Sequence, residues 1–250
     1  ADQSSYSISV RRDDQGRGGS LFMHSQCRVG MDMVISNPVN LFALDLRGRK
    51  HLMLAGGIGI TPFLAQIKQL AASNGRFELH YAARSAAHAA YADDLRVAHP
   101  GNVHIYHGDQ DQRFDLEHLL DGQPLGTHVY VCGPLRMIGQ VRDTAANLGW
   151  PREAVHSEEF LAPKSGKPFQ VKLAVSNKVI EVGEHQSLLE AIEAAGVEAP
   201  YLCRGGACGQ CETDVIGYDG KFLHNDHWLD ADARASGKKI MPCVSRFEGK

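Results

Sequence analysis

The sequence has no long apolar run, no excess of basic charge and no dense cysteine framework, and each absence excludes a class of protein. Its apolar stretches are broken by Gly or Pro, so none reaches the roughly 18 residues of a transmembrane helix. The net charge of −3 gives no basic patch for nucleic acid or an anionic membrane surface. The segment Ala1 to Ser5 does not resemble a secretory signal. We therefore expect no nucleic-acid partner and no membrane partner.

Motifs for hydrolysis and for histidine-bound metals are also missing. The thirteen histidines are scattered, with no H-E-x-x-H motif and no close pair at metal-ligand spacing. No G-x-S-x-G elbow or pair of carboxylates stands out. Two of the six cysteines, Cys27 and Cys132, stand apart from the other four. This cysteine usage suits a reducing cytoplasm better than a disulfide scaffold, so we expect a cytoplasmic protein.

The four remaining cysteines, near the C-terminus, carry the clearest chemical signal. Cys203, Cys208 and Cys211 form C-x4-C-x2-C, and 31 residues separate Cys211 from Cys243. This spacing is typical of a plant-type [2Fe–2S] cluster held by four thiolates. Zinc is the competing interpretation, but zinc ligands usually come as two C-x2–4-C pairs, and Cys243 stands alone. The loop between these cysteines contains Gly205, Gly206 and Gly209. We expect them to free the backbone and to turn N–H groups inward toward sulfur. The pattern predicts single-electron transfer.

The first part of the chain changes texture at about residue 47. Residues 1–46 read as β structure, with strands predicted at Tyr6–Val10 and Met31–Ser36. Residues 47–160 alternate strands with helices. That alternation predicts a doubly wound parallel sheet, which binds ligands at the carboxyl ends of its strands.

The second part of the chain begins after a predicted linker. Residues 161–168 are rich in Pro, Gly and Lys, a composition typical of linkers. Residues 169–250 open with a predicted hairpin around Ser176-Asn177. A capping box at Ser187–Glu190 then predicts the start of a helix, which leads directly into the cysteine loop.

Two glycine-rich turns are candidate anion sites. Gly56-Gly57-Ile58-Gly59 follows a predicted strand and precedes a helix with Thr61 as its N-cap. Its glycines could let the backbone approach a pyrophosphate, or could serve tight packing alone. Gly16-Arg17-Gly18-Gly19-Ser20 could bind an anion or form a plain hairpin loop. Arg84 could bind ribose or phosphate or stay solvated, and Cys132 could be only a small buried hydrophobe.

In combination, these strings resemble the phthalate dioxygenase reductase family, which includes the vanillate O-demethylase reductases. The matching strings are Gly16-Arg17-Gly18-Gly19-Ser20, Pro38-x-Asn40-x-Phe42, Gly56 to Pro62, Ala83-Arg84-Ser85, Cys132-Gly133-Pro134, Glu158-Glu159-Phe160 and the four cysteines. The resemblance implies an α/β plus α+β fold. Its parts would be a partial antiparallel flavin-binding β-barrel at 1–46, a doubly wound parallel-sheet nicotinamide domain at 47–160, a linker at 161–168 and a plant-type ferredoxin (β-grasp) domain at 169–250.

The resemblance also implies a role for individual residues. The FMN phosphate would be bound by Gly18, Gly19 and Ser20, and the flavin would be bordered by Val10, Arg11, Arg12 and, from the nicotinamide domain, Thr61. NADH would be held by Gly57 and Gly59 at its pyrophosphate and by Arg84 and Ser85 at its ribose. Pro134 would line the nicotinamide pocket. The candidate catalytic residues are Cys132, in that pocket, and Phe160, near the flavin ring.

The implied function is an NADH-dependent reductase that passes electrons through FMN and the [2Fe–2S] cluster to a Rieske-type oxygenase or demethylase. NADH is favoured over NADPH because no group of basic residues follows Arg84. The opening strands and the Arg-x-Tyr-Ser-type motif of the family's flavin domain are not in the sequence, so the flavin step is only half encoded in the chain as written. The alternatives are a non-enzymatic ferredoxin-type electron carrier with a vestigial nucleotide-binding domain, and a redox-sensing module.

Overall fold

A computed structural model of the chain describes residues 5–35, 37–160 and 164–249. The chain forms two compact units, which are Ala1–Val34 with Asn40–Glu159, and Ile35–Val39 with Phe160–Lys250. Within the described residues, no helix has the length and apolar character needed to cross a bilayer.

The larger unit is built on a five-stranded parallel sheet. Its strands are β1 (Lys50–Gly56), β2 (Phe77–Ala83), β3 (Val103–His107), β4 (Thr127–Cys132) and β5 (Val155–Glu158). They lie in the order β3-β2-β1-β4-β5, and all neighbours are parallel. The chain moves outward from β1 to β3 and then returns to the other side of β1. The carboxyl ends of β1 and β4 therefore form the topological switch point at which such sheets bind ligands. This confirms the predicted parallel sheet.

Helices cover both faces of the sheet because β1 and β4 at its centre bury apolar side chains on both sides. The helices are α2 (Thr61–Ala72), α3 (Ala92–Ala98), α4 (Leu116–Leu120) and α5 (Leu135–Asn147). Successive residues of β1 point to opposite faces, so Met53 enters the core formed with α2 and Leu54 enters the core formed with α5. The end of β1 at the switch point is therefore packed on both sides.

The first 46 residues differ from the sequence prediction. Within described residues 5–46 there is one helix, α1 (Gly19–Ser25), and no strand. The strands predicted at Tyr6–Val10 and Met31–Ser36 are wrong for the described residues, which leave out Ser36. A strand satisfies its backbone N–H and C=O groups by pairing with a neighbour, and neither segment has a neighbouring strand here. Phe42 instead packs into the core of α2.

The smaller unit contains three antiparallel pairs of strands and two helices. The pairs are β6 (Phe169–Leu173) with β7 (Lys178–Val182), β8 (Thr213–Asp214) with β10 (Lys239–Ile240), and β9 (Gly220–Leu223) with β11 (Arg246–Gly249). The first pair is the predicted hairpin. The helices are α6 (Leu188–Ala194) and α7 (Ala231–Ser236).

The start of α6 confirms the predicted capping box. The Glu190 N–H donates to Ser187 Oγ at 3.1 Å, and the Ser187 N–H donates to Glu190 Oε2 at 2.6 Å. Leu188 and Ile192 of this helix pack in one core with Phe247. The predicted linker falls partly on residues 161–163, which lie outside the described residues. The domain boundaries therefore stay predictions.

Candidate functional site

The cysteine loop, residues 203–211, has a backbone that few side chains tolerate. Gly206 (φ 75°) and Gly209 (φ 78°) are in the left-handed region, and Arg204 (φ 50°) joins them. Only glycine adopts this region without steric cost. Gly205 is not left-handed; its N–H donates to Cys203 Sγ instead. Gly206 and Gly209 therefore free the loop backbone as expected, and Gly205 turns its N–H inward to sulfur, as was also expected of these glycines.

Close packing gives Gly206 a second reason to lack a side chain. A Cβ there would lie 2.7 Å from Val244 Cγ2 and 3.0 Å from the Asp226 Cα. The Gly206 carbonyl also accepts the His227 N–H at 2.9 Å. The segment around Asp226 thus lies directly against the cysteine loop.

The four sulfurs form two pairs. Cys211 Sγ and Cys243 Sγ are buried and 3.2 Å apart, sharing a hydrogen bond that lowers the pKa of Cys211 to about 7 and raises the pKa of Cys243. Cys203 and Cys208 are half-buried, and their side chains also interact. Burial acts against ionisation of Cys203, but hydrogen bonds outweigh it and lower its pKa.

Backbone N–H groups favour the thiolate form of Cys203 in the half-buried outer pair, Cys203 and Cys208, as opposed to the buried inner pair, Cys211 and Cys243. The N–H groups of Gly205 and Ala207 donate to Cys203 Sγ at 3.3 Å and 3.4 Å. Inward N–H groups around sulfur stabilise negative charge, as a site for an anionic iron–sulfur cluster requires. The donor set and its environment therefore fit such a cluster.

The arrangement of the sulfurs also separates the cluster from its competitor, zinc. A tetrahedral Zn²⁺ with bonds of about 2.3 Å would hold all four sulfurs about 3.8 Å apart. Among the residues that the structure describes, no three cysteine sulfurs lie within 4.8 Å of one another, an arrangement closer to two pairs than to a single tetrahedral set. Two separate pairs suit a two-iron cluster.

Asp226 anchors the loop, and sequence reasoning missed it. Its carboxylate is fully buried, accepts the Ser245 hydroxyl at 3.4 Å and lies 3.4 Å from Arg234 Nη2. Arg234 Nη2 also donates to the Asp226 carbonyl at 2.7 Å. The negative charge of Asp226 acts against ionisation of the Cys211 thiol, so this carboxylate influences the electrostatics of the cysteine site. A single Asp in a loop carries no motif, and only its buried position reveals this role.

Two further contacts brace the loop from outside. The Arg204 guanidinium donates to Glu193 of α6 at 2.9 Å and stacks over the Tyr201 ring at 3.9 Å. The Trp228 indole N–H donates to Glu212 Oε2 at 2.9 Å. None of these residues was singled out from the sequence as an anchor.

Two glycines of the turn after β1 have different surroundings: Gly59 is closely packed, and Gly57 borders open space. A Cβ on Gly59 would lie 2.5 Å from the Cys132 carbonyl carbon, so this glycine is needed for close contact of β1 with the end of β4. Gly57, in contrast, has φ 55° and nothing within 4 Å of where its Cβ would be. Thr61 begins α2 and donates its hydroxyl to the Ile58 carbonyl at 3.0 Å. It is therefore not the N-cap, which is Ile60.

Cys132 ends β4 at the switch point. It is buried in the core of α2, and burial, together with the nearby Glu158 charge, raises the pKa of its thiol to about 12. The thiol is therefore neutral near pH 7 and is no nucleophile. Pro134, two residues later, is exposed and precedes α5. The predicted roles of Cys132 and Pro134 in lining a pocket stay predictions.

Arg84 and Ser85 follow β2 at the same edge of the sheet. The Arg84 side chain is exposed. Its carbonyl accepts the Asp109 N–H at 2.9 Å, which links the segment to the end of β3. Ser85 Oγ lies 2.7 Å from His88 Nδ1. Parallel strands place all these carboxyl ends together, so the candidate nucleotide residues share one edge.

The predicted flavin residues lie in an exposed loop and the short helix α1. Gly18 and Gly19 begin α1 with open space where a Cβ would be. Ser20 Oγ accepts the Asp13 N–H at 3.0 Å and donates to the Asp13 carbonyl at 3.2 Å. Arg11 and Arg12 are exposed, and the Val10 carbonyl lies 2.7 Å from His24 Nε2. The phosphate-binding role of Gly18, Gly19 and Ser20 stays a prediction, and described residues 5–46 form no sheet to cover a flavin ring.

Phe160 is 55% exposed and is assigned to the smaller unit. The three residues after it are outside the described ones. Its predicted place near a flavin ring stays a prediction.

Comparison with known proteins gives matches along the whole chain. A family model for a 2Fe-2S iron-sulfur cluster binding domain matches residues 171–248. A model for the N-terminal domain of dimethylamine monooxygenase subunit DmmA-like proteins matches residues 33–155. The carnitine monooxygenase reductase subunit of Acinetobacter baumannii is 46% identical over 251 residues, covering 100% of this chain and 78% of that protein.

Two further relatives extend the comparison. The heme-dependent oxidative N-demethylase beta subunit of Ectopseudomonas mendocina is 47% identical over 246 residues, covering 98% of this chain and 78% of that one. The solved structure of phthalate dioxygenase reductase aligns with a TM-score of 0.84 at 36% identity, covering 96% of this chain and 75% of that chain. That structure is described as a modular one for electron transfer from pyridine nucleotides to [2Fe-2S]. The matches confirm the predicted fold class and the [2Fe–2S] cluster.

Proposed function

The chain belongs to the phthalate dioxygenase reductase family, and on that premise we propose that it carries electrons from NADH through FMN and its [2Fe–2S] cluster to a terminal oxygenase. As a member of this family, the chain is an oxidoreductase, the reductase component of an oxygenase system, with a [2Fe–2S] domain. This argues against the carrier and redox-sensing alternatives.

The observation that carries the proposal is the division of the four sulfurs into an outer and an inner pair. Cys203 and Cys208 are half-buried, whereas Cys211 and Cys243 are buried. When bound, the cluster accepts and releases one electron at a time. Electron transfer to a partner is favoured at the less buried pair, so we assign the exit to the side of Cys203 and Cys208.

The loop residues set how readily that site takes an electron. N–H groups on Cys203 stabilise negative charge and raise the reduction potential, whereas the buried Asp226 carboxylate opposes added negative charge. Arg234 beside Asp226 offsets part of that effect. We propose that the balance of these charges tunes the potential.

We assign the nucleotide to the carboxyl edge of the parallel sheet. Gly57 would let the backbone approach the pyrophosphate because it has open space around it. Arg84 and Ser85, on the same edge, would hold the ribose of NADH. Cys132 and Pro134 would line the nicotinamide pocket, with Cys132 acting through shape because its thiol is not ionised.

FMN would join the two-electron donor to the one-electron centre. When bound, it supplies the conversion of a hydride into single electrons. Gly18, Gly19 and Ser20 would bind its phosphate at the start of α1. Val10 to Arg12, Thr61 and Phe160 would border the ring. Flavin binding by the intact chain, measured by fluorescence quenching, tests this assignment directly.

The acceptor we propose is a Rieske-type oxygenase or demethylase. The relative named as the beta subunit of a heme-dependent oxidative N-demethylase supports a heme oxygenase as a second candidate. Purified oxygenases of the two kinds, offered to the reduced chain, distinguish them by which becomes reduced. We also propose a cytoplasmic location, which the six free cysteines support.

The test of the proposed function is the Cys208→Ser variant. We expect it to lose NADH-driven reduction of cytochrome c while it still binds NADH. The matched control is Cys27→Ser, which removes a thiol outside the cluster loop and should leave the rate unchanged. Normal reduction by Cys208→Ser would show that the cluster is not the electron exit.

A further inference from the structure

Glu78, His80 and His104 meet on one face of the parallel sheet. Glu78 and His80 are two residues apart on β2, so their side chains point to the same face. His104 lies directly opposite His80 in the register of β3. The sheet therefore gathers three side chains, each with one metal-ligating atom, and these atoms lie within 4.8 Å of one another.

The separations between these atoms suit one tetrahedral ion. Glu78 Oε1 lies 3.0 Å from His80 Nε2 and 3.6 Å from His104 Nε2. Zn²⁺ holds nitrogen and oxygen ligands at about 2.0–2.2 Å, which sets tetrahedral ligand atoms about 3.3–3.5 Å apart. The two observed separations lie on either side of that range.

The two histidines are held differently. The Tyr106 hydroxyl lies 2.9 Å from His80 Nδ1, so Nε2 is directed at Glu78. A partner on the second ring nitrogen is typical of metal-bound histidine. The His104 ring stacks on His80 with centroids 4.7 Å apart. Because its side chain is 43% exposed, His104 has room to turn its nitrogen toward an ion.

Lys50 is the competing cation. Its Nζ lies 2.6 Å from Glu78 Oε2 and 3.0 Å from Gln123 Oε1. This contact leaves Glu78 Oε1, the oxygen that faces both histidines, for an ion. The ammonium charge repels a divalent cation, so its removal should strengthen binding.

We propose that Glu78, His80 and His104 bind one divalent transition-metal ion of the Zn²⁺ class, which links the edge strand β3 to β2. Two imidazoles and one carboxylate favour Zn²⁺ over Mg²⁺ or Ca²⁺, which prefer oxygen ligands. Three protein ligands leave a fourth position for water. The sequence signal is a Glu-x-His strand with a histidine aligned on the next strand, which only the register reveals.

The test is calorimetric titration of Zn²⁺ into the intact chain with its cysteine loop loaded with iron and sulfide. We expect one ion per chain and a higher unfolding temperature with Zn²⁺. His104→Ala and Glu78→Gln should each weaken binding by about tenfold or more. Lys50→Met should tighten it. The control His118→Ala removes an exposed histidine on α4 and should change nothing.

X-ray absorption at the zinc edge identifies the ligands. Nitrogen and oxygen neighbours support the site, whereas sulfur neighbours would place the ion on the cysteines and overturn the proposal. Absence of binding, or equal binding by His104→Ala, would overturn it as well. Circular dichroism checks that His104→Ala, altered at a half-exposed edge position, keeps the native fold.

Discussion

Replacement of Gly206 by alanine tests how the cysteine loop is built. The residue has φ +75°, and a Cβ would lie 2.7 Å from Val244 Cγ2 and 3.0 Å from the Asp226 Cα. A left-handed backbone costs alanine about 1–2 kcal/mol. Overpacking adds about 1–3 kcal/mol, so we expect the free energy of unfolding to fall by about 2–5 kcal/mol. That is a large part of the roughly 5–15 kcal/mol that stabilises a typical domain.

The measurement is urea unfolding of the intact protein, followed by circular dichroism and by the visible absorption of the cluster. Both signals of the smaller unit should be lost at lower urea in Gly206→Ala. The control is Gly217→Ala, in the same unit, where a Cβ meets nothing within 4 Å and φ is not left-handed. A Gly206→Ala protein within about 0.5 kcal/mol of the parent, with full iron content, would refute the reasoning.

Three further predictions concern the nucleotide edge, the loop anchor and two half-buried histidines. Arg84→Ala should raise the KM for NADH by about tenfold or more through loss of a charged hydrogen bond, with normal cluster content; an unchanged KM contradicts the assignment. Asp226→Asn should raise the cluster's reduction potential and Arg234→Gln should lower it, since they remove opposite charges; shifts of the same sign in a redox titration argue against charge tuning. Burial lowers the pKa of His128 and His156, whose Nδ1 and Nε2 atoms lie 2.9 Å apart. The unfolded chain therefore binds more protons below about pH 6.5, so the free energy of unfolding should fall as the pH drops. A free energy of unfolding that stays constant from pH 7 to 5 would contradict this prediction.

The parallel sheet could be predicted because its signals are local. Strands β1 and β4 are short apolar runs, and each ends in a glycine turn or a helix start. The capping box at Ser187 is equally local. The strands predicted at Tyr6–Val10 and Met31–Ser36 failed because a strand depends on a partner, which alternation alone does not supply.

At the cysteine site, spacing predicts the ligands but not their surroundings. Gly206, within the cysteine loop, packs against both Val244 and the segment around Asp226. Those contacts join residues 20 or more positions apart in the chain, and no short motif encodes them. The same holds for His80 and His104, which only the register of β2 and β3 brings together.

The central claim is that electrons from NADH reach the [2Fe–2S] cluster of this chain. Electron paramagnetic resonance of the intact chain, supplied with FMN and frozen after anaerobic addition of NADH, tests it most directly. The account predicts the signal of one reduced cluster per chain, absent from Cys208→Ser. A signal that dithionite produces and NADH does not would contradict the account.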